Sequence, residues 1–235
     1  MTTVRRLAPL LVLPLLVGLA LPAAAARGQG ATAVAPAPSW AQWEGEIRRF
    51  EQADSLRPPP RGAVLFVGSS SIRFWESAER DFPGVTIVRR GFGGSQMADV
   101  LHFADRVVLP YAPRTIVLYA GDNDLAAGRT PEQVFADYRS FVRLVRAQLP
   151  ETRVVYVAVK PSLARVQLMD AMRRTNALVH GYASRHPRRL KYVDVFTPML
   201  DASGRPRAEL FREDGLHMNA KGYALWPKLL TPYVR

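Results

Sequence analysis

Residues 64–72 have the sequence VLFVGSSSI, in which four apolar residues are followed at once by a glycine and three serines. An unbroken apolar run of this kind is typical of a strand that is buried on both faces of a sheet. Such a strand occurs in parallel sheets that are covered by helices on both sides. The stretch therefore predicts an α/β domain with a polar loop at the carboxyl end of its first strand.

Further along the chain, predicted strands alternate with predicted helices. Residues 131–149 carry an apolar stripe with helical spacing, with Thr130 as the N-cap and Pro131 as the first helical residue. The other predicted strands are apolar runs rich in β-branched residues: Thr86 to Val88, Thr115 to Tyr119, Val154 to Val159 and Leu190 to Val195. Strands and helices that alternate in this way predict a three-layer α/β/α sandwich with a mostly parallel, five-stranded, flavodoxin-like sheet.

Three more helices are predicted outside this central pattern. A short amphipathic helix starts at Ser39, and a second helix carries a stripe that begins at Leu168 and ends at Tyr182. Asn219 is predicted to cap a final helix that extends to Leu230 and is shortened or bent by Pro227. We interpret the first helix as an element packed on the outside of the domain.

The N-terminal segment predicts export. Arg5 and Arg6 precede an apolar run, and small residues follow at 23–26, which is the order of a secretory signal peptide. We therefore assign 1–26 to a signal peptide, 27–60 to a lead-in linker with the short helix, and 61–235 to the functional domain. The protein is expected in the periplasm or outside the cell, without a stable membrane anchor; an uncleaved N-terminal anchor is the alternative.

The chain has a formal net charge of +12 and contains no cysteine. The lack of cysteine excludes disulfides, a thiolate nucleophile and a cysteine-based metal site. A basic protein can bind nucleic acid or an anionic surface, but no nucleic-acid-binding motif is present and we expect no nucleic-acid partner. Residues 165–191 are densest in positive charge. We interpret them mainly as a solvated helix face, with weak contact to an anionic envelope surface as the alternative.

Polar residues follow the predicted strands at the edge where ligands bind in open α/β sheets. The glycine-dense residues 91–95 can present a bare backbone N–H to a ligand, although a simple tight turn explains them equally well. Asn123 can donate its amide N–H to a developing negative charge. Asp214 and His217 are spaced so that the carboxylate can accept from Nδ1–H and leave Nε2 as a base for a serine. A structural role is the alternative for this pair.

Several other site types do not fit the sequence. Ile72 stands where a Gly-x-Ser-x-Gly nucleophile elbow needs its last glycine. Residues 91–95 lack the last glycine of a dinucleotide-binding loop and the lysine of a P-loop, so nucleotide binding has little support. The acidic residues Asp122 and Asp124 do not have the spacing of a calcium loop, and no metal or organic cofactor is expected.

Taken together and in this order, the four loops resemble the SGNH, or GDSL, hydrolase family (GDSL-like lipase/acylhydrolase), and the resemblance covers about residues 62–234. The first block of the family, Gly-Asp-Ser, matches Gly68-Ser69-Ser70. The glycine of the second block matches Gly94. The Gly-x-Asn-Asp block matches residues 121–124, and the Asp-x-x-His block matches Asp214 and His217.

The resemblance implies a serine esterase or acylhydrolase. Ser70 would be the nucleophile, His217 the base and Asp214 the residue that orients it. The N–H groups of Ser70 and Gly94 and the side chain of Asn123 would form the oxyanion hole. Ser69 departs from the family pattern, because the family usually has Asp at this position.

Two alternatives share the same fold. The same triad in an O-acyltransferase would pass the acyl group to a sugar hydroxyl, and a non-catalytic carbohydrate-binding member would have lost activity through the change at Ser69. The expected substrate is a small-molecule, polysaccharide or lipid ester, with a weak preference for short acyl groups. The aromatic residues Phe74, Trp75, Phe92 and Trp226 lie near the predicted site in sequence and either line a pocket or belong to the core.

Overall fold

The computed structural model describes Thr2 and residues 40–235. Apart from Thr2, the proposed signal peptide 1–26 lies outside the described residues, and so do residues 27–39 of the lead-in segment. No helix in the described part of the chain is both long and apolar enough to cross a membrane.

Five parallel strands form one sheet in the order β2-β1-β3-β4-β5. The strands are β1 Val64–Gly68, β2 Ile87–Gly91, β3 Thr115–Tyr119, β4 Arg153–Val157 and β5 Leu190–Val193. This order has its switch point between β1 and β3, which is the flavodoxin-like arrangement. The fold class predicted from the sequence is therefore confirmed.

Ten α-helices connect and cover the strands in the described part of the chain. They are α1 Ala41–Leu56, α2 Ser70–Arg73, α3 Ala78–Asp81, α4 Met97–His102, α5 Ala104–Val107, α6 Asp122–Ala126, α7 Pro131–Gln148, α8 Met169–Ser184, α9 Ala220–Tyr223 and α10 Leu225–Val234. Short 3₁₀ segments lie at Leu109–Tyr111, Leu163–Leu168, Thr197–Met199 and Ala208–Leu210. Helices α4, α7 and α8 pack side by side in one layer. In the other layer, Trp75, which follows α2, packs edge-on against Trp226 of α10.

Burial of the central strands explains why their sequence is apolar throughout. Every residue of β1 and of β3 is buried. Helix α7 covers the sheet with an apolar face and begins in a capping box, in which Thr130 and Gln133 each bond to the backbone N–H of the other. The helix therefore starts at Pro131, as the sequence predicted.

The second strand extends further than its sequence suggested. We expected it at 86–88, but it includes two arginines and ends at Gly91. Arg89 pairs with Glu79, and Arg90 bonds to Asp54 and to Tyr111 Oη. Because these partners are remote in sequence, the apolar pattern alone did not reveal the end of the strand.

The fourth strand ends at Val157 rather than at Val159. The backbone of Val159 bonds to the side chain of Asn176 instead of to a strand. The N–H of Val159 donates to Asn176 Oδ1, and Asn176 Nδ2 donates back to the Val159 carbonyl. These bonds satisfy the N–H and the carbonyl of Val159 without a neighbouring strand, whereas the Ala158 N–H still donates to the Val193 carbonyl at the end of β5.

The C-terminal segment forms two helices where one was expected. Asn219 caps α9 through the N–H groups of Lys221 and Gly222, as predicted. The helix then ends at Tyr223. In a continuous helix, the ring of Pro227 would clash with the carbonyl of the residue four positions earlier, which is Tyr223. Pro227 lies in the first turn of α10, where no N–H is needed, so α10 can include it.

Helix α1, within the proposed lead-in segment, packs against the sheet domain. Trp43 and Ile47 are buried in the same core as the strands. The indole N–H of Trp43 donates to the Gly93 carbonyl at 2.9 Å, and Arg106 bonds to Glu44 and Glu51. The helix therefore supports the glycine-dense loop after β2.

Gly68→Ala is expected to prevent folding or to remove most of the stability. A Cβ atom at Gly68 would lie 1.8 Å from the Tyr119 carbonyl oxygen, and the backbone has φ +139°. Gly204→Ala is the matched control, because Gly204 also has a positive φ but has open space around it. It is expected to cost about 1–2 kcal/mol. Urea unfolding measures both, and equal stability of the two variants would show that the close approach of Gly68 to the Tyr119 carbonyl does not limit folding.

Candidate active site

Ser70 lies where β1 turns sharply into α2. The Ser69 N–H donates to the Tyr119 carbonyl at 3.0 Å, and the Ser69 carbonyl accepts from Ile72 and Arg73. These bonds reverse the chain directly after the strand. Ser70 is half-buried at the first position of α2, where the backbone N–H has no acceptor within the helix.

Asp214 and His217 lie on a tight turn late in the chain. Gly215 has φ +62°, and the turn is closed by a bridge between Phe211 and Met218. Asp214 Oδ1 accepts from the N–H groups of Leu216 and His217, both at 2.9 Å. The carboxylate therefore shapes the turn that carries the histidine.

A continuous chain of hydrogen bonds links Ser70, His217 and Asp214. The distance from His217 Nδ1 to Asp214 Oδ2 is 2.6 Å, and that from His217 Nε2 to Ser70 Oγ is 3.1 Å. Desolvation raises the pKa of Asp214, but hydrogen bonds from the His217 ring and backbone and from Leu216 outweigh it and hold this pKa at about 2. An ionised Asp214 accepts from Nδ1–H, so Nε2 is the nitrogen that accepts from the Ser70 hydroxyl.

The loop after β2 and the loop after β3 are joined by the side chain of Asn123. Asn123 Nδ2 donates to the Ser95 carbonyl at 3.0 Å. Gly94 precedes Ser95, is exposed and has φ +79°. No hydrogen bond of the described residues joins Asn123 or Gly94 directly to Ser70. The structure thus brings the two predicted oxyanion donors together in one pair of loops, on the same carboxyl edge of the sheet as Ser70.

Asp124 also links the loop after β2 to the loop after β3. Both carboxylate oxygens of Asp124 accept from the Met97 N–H at 3.0 Å, and Arg129 lies 3.4 Å from Oδ1. Burial raises the pKa of Asp124 to about 7, while the Met97 N–H and the Arg129 charge lower it. Asp124 is therefore a structural link between the loops, as its full burial also indicates.

Ser69 occupies a fully buried position, and its hydroxyl has no hydrogen-bond partner among the described residues. The turn before Ser70 is held by the backbone of Ser69 rather than by its side chain. The charge that the family usually has at this position is thus not required to shape the turn in this chain.

Two cationic residues beside the site were not identified from the sequence as part of it. The charge pattern of the sequence predicts that Arg165 lies on a solvated helix face, but it precedes α8 and pairs with Asp122 at 3.1 Å. Lys160 is buried and donates to the Leu216 carbonyl at 2.8 Å. Burial lowers the pKa of Lys160 to about 8. Lys160 directly follows an apolar run, at the carboxyl edge of the sheet, and this position could have identified it as a residue near the site. Nothing in the local sequence distinguishes Arg165.

Of the four aromatic residues that lie near the site in sequence, three belong to the core. Trp75, Phe92 and Trp226 are fully buried. Phe74 is half-buried and meets the ring of His217 edge-on, with the ring centroids 5.0 Å apart. Of these four aromatic residues, Phe74 is therefore the one that contacts His217.

Within the described residues, no three acidic or histidine side chains are grouped so that they could hold a metal ion. The acidic residues nearest the site have other partners, since Asp122 pairs with Arg165 and Asp214 with His217.

Comparison with known proteins links this geometry to one family. The model of the GDSL-like Lipase/Acylhydrolase family matches residues 67–225, a range that includes every residue of the site described above. Platelet-activating factor acetylhydrolase IB subunit alpha1 of Bos taurus is 28% identical over 188 residues, which cover 77% of this chain and 78% of that protein.

Solved structures share the fold at lower sequence identity. A GDSL-like lipase from Bacteroides thetaiotaomicron matches with a TM-score of 0.68 and 20% identity, covering 80% of this chain and 96% of that one. A mutant of an acetyl-xylooligosaccharide esterase from Geobacillus Stearmophilus matches with a TM-score of 0.59 and 13% identity, covering 74% and 95% of the two chains. These two structures support the fold.

Ser69→Ala is expected to change the free energy of unfolding by less than about 1 kcal/mol, because the hydroxyl that is lost has no partner among the described residues. Asn219→Ala is the contrasting control. It removes a side chain that accepts from two backbone N–H groups and donates to two carbonyls, and should cost about 1–2 kcal/mol. Urea unfolding of both variants tests this, and a larger loss for Ser69→Ala than for Asn219→Ala would contradict it.

Proposed function

The chain belongs to the GDSL-like Lipase/Acylhydrolase family, and on that premise we propose that it is an exported serine ester hydrolase. Its triad consists of Ser70, His217 and Asp214. The hydrogen-bond chain through His217, with its distances of 3.1 and 2.6 Å, is the observation that carries this proposal. Export rests on the sequence of residues 1–26 alone.

In the first half of the reaction, His217 Nε2 accepts the hydroxyl proton of Ser70 as Oγ bonds to the ester carbonyl carbon. The carbonyl electron pair moves onto the oxygen and forms a tetrahedral oxyanion. Asp214 remains ionised at neutral pH, because its pKa is about 2, and stabilises the imidazolium. The C–O bond to the alcohol then breaks, and the alcohol leaves with the proton from His217.

The oxyanion is stabilised by the N–H groups of Ser70 and Gly94 and by Asn123 Nδ2. The Gly94 N–H has no acceptor among the described residues, and Asn123 uses one of its two Nδ2 hydrogens on Ser95. Both residues therefore retain a hydrogen for a substrate oxygen. In the second half of the reaction, His217 deprotonates a water that attacks the acyl group, and Ser70 regains its proton as the carboxylic acid leaves.

A short acyl group is the proposed substrate preference. The relative from Bos taurus is an acetylhydrolase by name, and Phe74 stands edge-on against His217, beside the reacting atoms. With export, this favours extracellular or envelope esters, such as acetylated polysaccharides or lipids.

Ser70→Ala is expected to lower kcat for p-nitrophenyl acetate by about 10⁴-fold or more, because no other group supplies the nucleophile. Asn123→Ala should cost about 10²–10³-fold, which is typical of one lost oxyanion donor. Release of p-nitrophenolate, followed by absorbance, measures both.

Ser71→Ala is the matched control for the Ser70 variant, because Ser71 lies in the same turn and does not bond to His217. Its kcat should stay within about threefold of the parent protein. Full activity of Ser70→Ala with unchanged thermal stability would rule out Ser70 as the nucleophile.

The acyl preference predicts that kcat/KM for p-nitrophenyl esters is highest for two to four carbons and falls as the chain lengthens. We expect the Phe74 ring, which lies edge-on against His217, to contact the acyl group and to exclude a long one. A series from acetate to dodecanoate, run beside acetate release from acetylated polysaccharides, measures the profile. A maximum at eight or more carbons would exclude the short-acyl preference.

A further inference from the structure

Arg165 lies in the connection between β4 and α8, where the chain does not follow a regular helix. The 3₁₀ segment Leu163–Leu168 is kinked at Arg165, which has φ −129° and ψ 32°. The Ala164 N–H donates to the Gly215 carbonyl at 3.1 Å, so the segment also contacts the turn that carries His217. The kink directs the Arg165 side chain inward, and only 17% of it is exposed.

The guanidinium of Arg165 bridges two neighbouring residues of the loop after β3. Nη1 donates to Asp122 Oδ2 at 3.1 Å, and Nη2 donates to Asn123 Oδ1 at 3.0 Å. The Asp122 side chain is only 6% exposed, so solvent screens this ion pair weakly. A planar guanidinium can serve both acceptors at once, whereas a lysine ammonium is a single point charge.

This bridge determines the orientation of the Asn123 amide. Oδ1 faces the Arg165 donor and Nδ2 faces the Ser95 carbonyl at 3.0 Å. A flipped amide would place its NH₂ against the guanidinium and its oxygen against a carbonyl, and would lose both hydrogen bonds. Arg165 therefore holds the amide in the orientation in which its second Nδ2 hydrogen is available to a ligand.

We propose that Arg165, anchored by Asp122, is a positioning residue that sets the Asn123 amide for stabilisation of the oxyanion. The inference rests on the proposed ester hydrolysis. Arg165 acts through Asn123 and does not touch the reacting atoms. Its effect falls on the transition state, where the oxyanion develops, so it appears in kcat and leaves KM nearly unchanged.

Arg165→Lys is the principal test. Lysine keeps a cation for the buried Asp122, so thermal stability should stay close to that of the parent protein, but it cannot span both acceptors. We expect kcat for p-nitrophenyl acetate to fall by about 10- to 100-fold, as for a catalytic group that is slightly misplaced. KM should change by less than about threefold. An unchanged kcat would overturn the proposal.

A second variant guards against loss of folding. Arg165→Met alone would leave Asp122 as an unpaired buried charge, so it is combined with Asp122→Asn. The double variant should show the same loss in kcat as Arg165→Lys. Arg174→Lys is the matched control, because Arg174 pairs with Glu132 on an exposed surface of α8 and α7. Its kcat should equal that of the parent protein, and a comparable loss there would overturn the specific role of Arg165.

A double-mutant cycle separates positioning from a general structural effect. If Arg165 acts through Asn123, Arg165→Lys should lower kcat by less than about threefold when Asn123 is already alanine. A structural role would instead multiply the two losses. Multiplied losses would therefore contradict the proposal.

The side-chain amide of Asn123 gives a readout that does not depend on activity. In ¹⁵N–¹H spectra, its two Nδ2 protons should exchange faster with solvent, and their shifts should move, in Arg165→Lys but not in Arg174→Lys. If the parent protein hydrolyses no ester while these changes occur, the proposed function fails and the positioning of Asn123 stands. Unchanged amide signals overturn the positioning, whatever the activity.

Discussion

The close approach of β1 to β3 at Gly68 is the constraint on which the site depends. Any side chain at Gly68 would overlap the Tyr119 carbonyl. Because Gly68 has none, Ser69 can donate to that carbonyl and the chain can reverse within one turn. Ser70 is thereby placed at the carboxyl edge of the sheet rather than in its interior. The parallel register of β1 with β2 and β3 then brings the other two loops to the same edge.

Buried polar links, rather than one rigid element, join loops of the site in pairs. Asp124 joins α6 to the Met97 N–H, and Asn123 joins the same region to Ser95. On the other side, Lys160 donates to the Leu216 carbonyl, within the turn between Asp214 and His217. Because a buried polar group is costly when it lacks a partner, each of these links favours one arrangement of the loops. This explains why so many charged residues lie near a site whose proposed chemistry uses only one carboxylate and one histidine.

The sequence predicted the parts of the molecule that are governed by local pattern. Apolar runs revealed the central strands, Thr130 marked the start of a helix, and the family resemblance inferred from Ser70 and its partner blocks is confirmed. Interactions between residues remote in sequence could not be predicted. Arg165 and Asn123 are 42 positions apart, and Arg165 has no local feature that distinguishes it from a surface arginine. The same limit hid the end of β2, where arginines are accommodated by distant acidic and aromatic partners.

Covalent labelling shows whether Ser70 is a nucleophile that His217 activates. The purified protein is treated with diethyl p-nitrophenyl phosphate, and its intact mass and peptide masses are measured. We expect one diethylphosphoryl group per chain, attached to Ser70, with one equivalent of p-nitrophenolate released and no adduct in Ser70→Ala. An unmodified protein, or an adduct on another residue that persists in Ser70→Ala, would show that Ser70 is not the activated nucleophile.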